Sequence, residues 1–268
     1  MNTPKPTNLD EHRDYLRQVV RLKLWFLWHW LRAHPDDPFE EAIRKRVDLY
    51  RKTDINAGTM NPPAPQFDDP LWLALEKETR ARFERHRGDA AAVDFEDEAF
   101  RVFQETVDRR AERDFQEKPY VLAYKCGSIN YDPPSKERPT HVGIHIANAL
   151  RPRSIFDDRR HLPECLLAMT DKAEKEFGAE SVGTFTWLNS APRWLELFPP
   201  EWTAGRGPED KNVQWHFGWW GQFINARGTF NAKLGARMRE TGEFPYWPRY
   251  AECRFDALRH HLNTYLNT

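Results

Sequence analysis

Two histidines lie on one face of a predicted strand. Residues 140–148 read THVGIHIAN, and the apolar positions 142, 144 and 146 alternate with His141, Gly143 and His145. This period of two predicts a strand with one apolar face. Glycine on the other face lets a ligand approach the backbone, and imidazole accepts protons near neutral pH. The pattern predicts a general base at His145 and a substrate contact at His141, or two histidines packed against the helical half of the chain.

A metal site does not fit the same residues. His141 and His145 are four residues apart, which on a strand separates them by about 13 Å. The three cysteines, Cys126, Cys165 and Cys253, are far apart and form neither a metal-binding spacing nor a disulfide framework. We therefore predict no metal, and a reducing, cytoplasmic compartment.

The loop after this strand carries positive charge. It reads NALRPRSIFDDRRHL and leads from the strand end to the start of a predicted helix. Helix N-termini and arginine side chains both bind anions. The sequence therefore predicts that Arg151 and Arg153 contact an anionic cofactor or ligand.

Several classes of function are disfavoured by motif and by charge. The chain has no G-x-S-x-G elbow, P-loop, dinucleotide-binding glycine fingerprint or H-E-x-x-H helix. Its 40 basic and 41 acidic residues give a net charge of −1, without the basic patch of a nucleic-acid-binding protein. The longest apolar run, near LWFLWHWL, is too short to span a bilayer, and the polar N-terminus does not resemble a signal peptide. We expect a small-molecule substrate, with no nucleic acid and no membrane as partner.

The elements that position these residues divide near residue 118. From Asp10 to about Asp114 the apolar residues recur at three- and four-residue spacing, which predicts helices over 10–34, 38–52, 70–87 and 95–114. From Pro119 onward strands alternate with helices. The predicted strands cover 119–126, 140–148, 181–188 and 213–223, and the predicted helices cover 163–177, 231–240 and 252–266. The fold class is α+β, with an N-terminal helical domain over 1–118 and an α/β domain over 119–268.

Aromatic residues supply further candidates for a binding site. The chain has 11 tryptophans, several of them between residues 187 and 220. Such residues line pockets for organic ligands, but they also fill cores that are short of leucine and isoleucine. We consider as substrate-binding candidates the aromatic residues Tyr124, Trp187 and Trp219.

Part of the second half resembles a known family. The runs IHIANALRPRSIF, LPECLLAMTDKAEKEFG and FTWLNSAPRWLELFP are similar to bacterial GNAT-like acyltransferase-domain proteins that carry an N-terminal helical domain. The resemblance is carried by short motifs within residues 144–199. These are the strand end around His145, the helix from Pro163 to Phe177, the strand end at 186–189 and the helix from Pro192 to Pro199.

The resemblance implies a GNAT-like splayed, mixed β-sheet with flanking helices. In that arrangement the strands 140–147 and 181–188 diverge, and the thioester of an acyl-CoA lies between them. Its pyrophosphate meets backbone N–H groups where the helix begins near Pro163. His145 would deprotonate an amine or hydroxyl, and Asn189 would polarise the thioester carbonyl. The strand over 213–223 would bring Gln214 and His216 to the mouth of the cleft.

The chain departs from the family at the pyrophosphate loop. The family loop reads Q/R-x-x-G-x-G/A, whereas no glycine lies between Asn148 and Leu162. Arginine side chains could replace the backbone amides, or coenzyme A does not bind. Two functions stay open. One is an acyltransferase that moves an acyl group from a CoA-type donor to a small amine or hydroxyl acceptor. The other is a tailoring enzyme without acyl transfer, or a binding protein with a Trp- and His-rich pocket.

Overall fold

The computed structural model describes residues 8–56, 66–117 and 124–268, and its fold is α+β, as predicted. The elements, in chain order, are α1 (Leu9–Ala33), α2 (Phe39–Lys45), α3 (Pro70–His86), α4 (Val93–Gln116), β1 (Lys125–Cys126), β2 (Ile129–Tyr131), β3 (His141–Ile146), α5 (His161–Phe177), β4 (Ser181–Thr186), α6 (Pro192–Leu195), α7 (Pro200–Ala204), α8 (Phe217–Trp220), α9 (Ala232–Thr241), β5 (Arg249–Arg254) and α10 (Phe255–Asn267).

The chain forms two compact units, which we describe separately. The sheet unit contains the described residues 124–212 and 246–268, and the helical unit contains the described residues up to 117 together with 213–245. Residues 213–245, which the sequence analysis assigned to the second domain, thus cluster with the helices. The division into a helical domain over 1–118 and an α/β domain over 119–268 stays a prediction.

The first helix begins at Leu9, one residue before its predicted start at residue 10, and it is capped by Asn8. The side chain of Asn8 accepts hydrogen bonds from the N–H groups of Asp10 and Glu11, at 2.9 and 3.2 Å, and so satisfies two amides that have no partner within the helix. The helix ends at Ala33, just before His34-Pro35, as the proline requires. Within the helical unit α1 packs along α4 and buries side chains on several sides.

The strand predicted over 213–223 is wrong, because residues 217–220 form the short helix α8. The ring Nδ1 of His216 accepts a hydrogen bond from the N–H of Gly218 at 3.0 Å and caps this helix. Trp220 packs edge-on against Phe26 and Phe244 in the helical unit, with ring centroids 5.5 and 5.0 Å apart. A short helix whose aromatic residues are buried on several sides thus shows the same sequence pattern as a strand with apolar residues on both faces.

The sheet unit holds an open, mixed sheet in the order β1-β2-β3-β4-β5. Its neighbouring strands are antiparallel except β3 and β4, which are parallel and are joined through α5. The segment 127–139, predicted to be only a connection, contains β2. The neighbour of β4 on its other side is β5, not residues 213–223. The closing helix starts at Phe255 rather than at 252, because the preceding residues alternate between buried and exposed.

The two faces of this sheet differ in chemistry. Side chains of β3, β4 and β5 such as Val142, Val182 and Cys253 join α5 and α10 in one buried apolar cluster. Because side chains alternate along a strand, the intervening residues point to the other face. That second face carries His141, His145 and the polar residues of β5, and we call it the polar face.

The parallel pairing between β3 and β4 is short. It runs from His141 opposite Ser181 to Gly143 opposite Gly183. Beyond the two glycines, β3 pairs with β2 and β4 pairs with β5, and the hydroxyl of Thr184 donates to the carbonyl of Ile144 at 2.9 Å. In the described residues no helix is long and apolar enough to cross a membrane.

Candidate functional site

A row of four residues crosses the polar face from β2 to β5. The N–H of Asp132 donates to the carbonyl of Gly143 at 3.0 Å, Gly143 pairs with Gly183, and Gly183 pairs with Glu252. Two carboxylates therefore flank two adjacent glycines, which we call the glycine floor. A Cβ built on Gly143 meets Asp132 Oδ2 as its nearest heavy atom, at 3.8 Å. The missing side chain leaves room over this residue, as the sequence predicted.

His145 pairs with a carboxylate at the edge of the glycine floor. Its Nε2 lies 2.6 Å from Oδ2 of Asp132, and the imidazole is 39% exposed. The hydrogen bond from His145 lowers the pKa of Asp132, so the carboxylate is charged. A charged carboxylate can only accept, which assigns a ring hydrogen to Nε2; in the neutral form of the ring the lone pair is then on Nδ1. Nδ1 has no hydrogen-bond partner within the described part of the chain.

An unpaired amide lies opposite His145. Asn130 pairs with His145 across the β2–β3 ladder, so the two side chains share the polar face. Asn130 is fully buried, yet neither its Oδ1 nor its Nδ2 has a hydrogen-bond partner among the described residues. Buried polar groups are nearly always hydrogen-bonded, because an unpaired one costs free energy. A ligand on this face would satisfy the amide.

A second hydrogen-bonded network lies across the glycine floor around Tyr250. The Tyr250 hydroxyl donates to Glu252 at 2.6 Å and accepts from Arg138 at 2.6 Å. His141 Nε2 lies 3.2 Å from the same hydroxyl and its Nδ1 lies 3.0 Å from the hydroxyl of Ser181. Since the one Tyr250 proton goes to Glu252, the ring N–H of His141 must be on Nε2.

Protonation states in this network follow from burial and charge. Burial, with a contribution from the nearby Arg138 charge, lowers the pKa of His141 and favours the neutral ring. Burial and the Glu252 carboxylate raise the pKa of Tyr250, whereas hydrogen bonds from Tyr250 and Arg138 lower the pKa of Glu252. Gly183 is required here, because a Cβ would come within 2.6 Å of the Tyr250 hydroxyl.

Asn189, predicted to polarise a carbonyl, has no free donor. Its amide nitrogen donates to the carbonyls of Thr184 and Arg249, both at 2.9 Å. Its oxygen accepts from the indole nitrogens of Trp194 and Trp202, at 3.0 and 3.3 Å. The side chain is fully buried, and both amide hydrogens are used. This geometry favours a structural role that joins β4, β5 and the helices after β4.

Two of the aromatic residues predicted to bind substrate, Tyr124 and Trp187, lie in different parts of the sheet unit. Tyr124 packs against Tyr131 and Phe177 with ring centroids 5.3 Å apart, beside the apolar cluster rather than on the polar face. Trp187 follows β4 and packs against Tyr246 at 5.8 Å.

Gln214, His216 and Trp219 belong to the helical unit. There the ring of His216 packs edge-on against Trp219 at 4.5 Å, and Trp219 is buried. A role for these three residues in substrate binding stays a prediction.

Part of the backbone of the loop before α5 is engaged in turns. The N–H groups of Leu150, Ser154, Phe156 and Arg160 donate to the side chains of Asn148, Asp157, Ser154 and Asp158, respectively. Arg159 donates to the carbonyl of Tyr265 and Arg160 to Glu164. Arg151 is half-buried and Arg153 is exposed. A contact of Arg151 and Arg153 with an anionic cofactor stays a prediction.

A serine, a histidine and a cysteine meet at the start of α5, yet they do not form a nucleophilic site. Ser128 Oγ lies 2.7 Å from His161 Nε2, which lies 3.7 Å from Cys165 Sγ. Ser128 is fully buried and its hydroxyl accepts the N–H of Ala149. Burial also raises the pKa of Cys165, which disfavours the thiolate. The contacts instead hold the loop against β2.

The partners of both histidines are not among the residues that the sequence predicts for the site. Asn130 and Asp132 lie between the predicted strands 119–126 and 140–148, and Tyr250 and Glu252 lie next to or within the predicted helix 252–266. The signal was present in the alternation of INYD and YAEC, where apolar and polar residues exchange at every position.

The described residues contain no group of three His, Cys, Asp or Glu side chains that could hold a metal ion. No family model matches the chain, and neither the curated proteins nor the solved structures give a match.

Proposed function

We propose that the sheet unit catalyses acyl transfer to a small amine or hydroxyl acceptor, with His145 as general base. One observation carries this proposal. The hydrogen-bonded His145–Asp132 pair lies beside the glycine floor, at the position where β3 and β4 stop pairing. A base oriented by a carboxylate, next to open backbone, is suited to proton abstraction from a bound nucleophile.

Each residue has a defined task in this reaction. Asp132 keeps the hydrogen on Nε2, so Nδ1 takes a proton from the acceptor as its nitrogen or oxygen attacks the acyl carbonyl. The bond to the leaving group then breaks, and the proton passes from Nδ1 to the leaving atom. Asn130 Nδ2 is the unpaired donor closest in register to His145, and it would stabilise the developing oxyanion. It takes the role that Asn189 cannot fill.

The topology supports a GNAT-like arrangement for this unit. The resemblance implies a mixed sheet in which a helix joins two neighbouring strands, and the sheet unit has a parallel strand pair joined through α5 within a mixed sheet. The short β3–β4 ladder is consistent with strands that diverge. The loop before α5 lacks the glycines of the family's pyrophosphate loop, so no step here depends on coenzyme A as the carrier. The donor is an activated acyl group, and its carrier is to be found by experiment.

Release of free thiol from acyl thioesters tests the proposal. Acyl-CoA and the shorter acyl-N-acetylcysteamine thioesters are offered with panels of small amines and alcohols. We expect His145→Gln to lower turnover by about 10²–10⁴-fold, the usual contribution of a general base. His260→Gln, on the exposed face of α10, is the matched control and should leave turnover unchanged. Full activity in His145→Gln would contradict the assignment.

A binding function without turnover is the second candidate. The unpaired amide of Asn130 and the polar network around Tyr250 favour recognition of a polar small molecule. In that case a ligand from the same panels raises the melting temperature without releasing thiol, and Asn130→Leu abolishes the rise.

A further inference from the structure

A lysine is buried in the helical unit without a hydrogen-bond acceptor. Lys23 lies on α1 at a position where helical spacing places apolar residues, and it is 1% exposed. Its Nζ has no hydrogen-bond partner among the described residues and lies 3.9 Å from the ring centroid of Trp220. A cation so far from water is expensive unless it is paired.

The charges around Lys23 do not balance. Arg51 and Lys52 are the neighbouring cations, and Asp48 is the neighbouring anion that acts on Lys23. Lys52 and Asp48 form a loose pair at 3.8 Å, with both side chains largely buried. Asp114, a carboxylate that also interacts with Lys52, is already held by His12 and Arg110. Among the described residues, one carboxylate thus faces Arg51, Lys52 and, when it is protonated, Lys23.

Aromatic rings cover the same cations. The guanidinium of Arg51 lies 3.4 Å from the ring centroid of Trp215, and Lys52 Nζ lies 5.5 Å from that of Phe217. Arg51 Nε is buried and, within the described ranges, lacks an acceptor. Cation–π contacts stabilise such cations in part, but they do not supply the missing negative charge.

We propose that the helical unit binds a small oxyanion between Lys23, Arg51 and Lys52. The anion would supply hydrogen-bond acceptors to Lys23 and Arg51 and balance the excess positive charge. The electrostatics agree: burial lowers the pKa of Lys23 well below its usual value, and burial also lowers that of Arg51. An anion beside Lys23 would raise its pKa, so binding should take up a proton at alkaline pH.

Sulfate is the probe, because it does not titrate near neutral pH. Melting of the full chain is followed at constant ionic strength while sulfate replaces chloride. We expect a saturating rise in melting temperature, as for a ligand that binds only the folded state. Lys23→Met and Arg51→Gln should abolish the saturating rise. Lys77→Met removes an exposed lysine of the same unit and should retain it.

Calorimetric titration gives a second readout. Sulfate binding to the wild-type chain, titrated over a series of alkaline pH values, should be accompanied by proton uptake, seen as a heat that depends on the ionisation enthalpy of the buffer, and Lys23→Met should show none. Lys23→Met should also melt at or above the wild-type temperature without sulfate, because a buried unpaired cation has been replaced by an apolar side chain. If Lys23→Met does not fold, Arg51→Gln carries the test. No saturating rise in the wild type, or the same rise in both variants, overturns the proposal.

Discussion

His141 and His145 lie four residues apart on one strand face, yet they face different partners. His145 gives its Nε2 hydrogen to a carboxylate and keeps Nδ1 free for a proton. His141 uses both ring nitrogens, toward Tyr250 and Ser181. The first arrangement suits a general base, and the second suits a residue that holds a tyrosine and a carboxylate in position.

The titration of His141 tests this distinction. Its pKa is lowered by burial and by the Arg138 charge, so we expect an NMR titration midpoint below about 6.5, the unfolded value. The neutral ring then stabilises the folded state above pH 6.5, and that contribution is lost as the pH falls through the folded pKa. Arg138→Gln should move the midpoint upward. The same change at the exposed Arg237 of the helical unit should not, and an equal shift in both variants would contradict the account.

At the scale of elements, Asn189 joins two strands and two short helices. It bonds two carbonyls, on β4 and β5, and two indole nitrogens from α6 and α7. The helices after β4 are short, so these side-chain bonds rather than helical length fix their positions.

Removing this side chain should therefore destabilise the sheet unit. Asn189→Ala leaves buried donors and acceptors unpaired, and we expect a loss of about 3 kcal/mol in the free energy of unfolding. Asn263→Ala, on the exposed side of α10, should change it by less than about 0.5 kcal/mol. Urea titration followed by tryptophan fluorescence measures both. If Asn189→Ala changes the free energy of unfolding by less than about 0.5 kcal/mol, the structural role is contradicted and a catalytic role for Asn189 is open again.

Sequence patterns predicted single helices and strands better than they predicted which elements pack or pair with each other. The strand at 141–146, the helix that ends at Gly178 and the helix that ends at Gly242 follow from alternation, helical spacing and the left-handed conformation that glycine adopts. The strand that pairs with β4 could not be predicted, because apolar and polar residues alternate in both 213–223 and 249–254. The unpaired state of Lys23 could not be predicted either, because a single charged residue within an apolar helix face does not indicate which residues surround it.

At the scale of the whole chain, residues 213–245 interrupt the sheet unit. We call residues 213–245 the excursion. The N–H of Asp210 donates to the carbonyl of Pro248 at 2.9 Å, so the chain segments that flank the excursion lie side by side. The excursion carries Trp219, Trp220, Phe223 and Phe244, all buried within the helical unit. Cut away from the N-terminal helices, it would expose these rings to water.

Two fragments test this organisation. We expect residues 119–268 to aggregate when expressed alone, since the excursion loses its cover. The same fragment with 213–245 replaced by a short Gly/Ser linker should be soluble and show cooperative thermal unfolding. Size-exclusion chromatography and circular dichroism compare the two. Equal solubility would show that the excursion does not need the N-terminal helices.

The general-base role of His145 is tested most directly by chemical rescue. In His145→Ala the half-exposed site is open to solvent, so imidazole in the buffer can take the place of the missing ring. We predict that thiol release from the best thioester–acceptor pair is lost in His145→Ala and is restored by imidazole. Among substituted imidazoles of similar size the restored rate should rise with basicity, as expected for proton transfer in the transition state. Wild-type activity in His145→Ala, or a loss that no imidazole restores while the variant remains folded, would contradict the account.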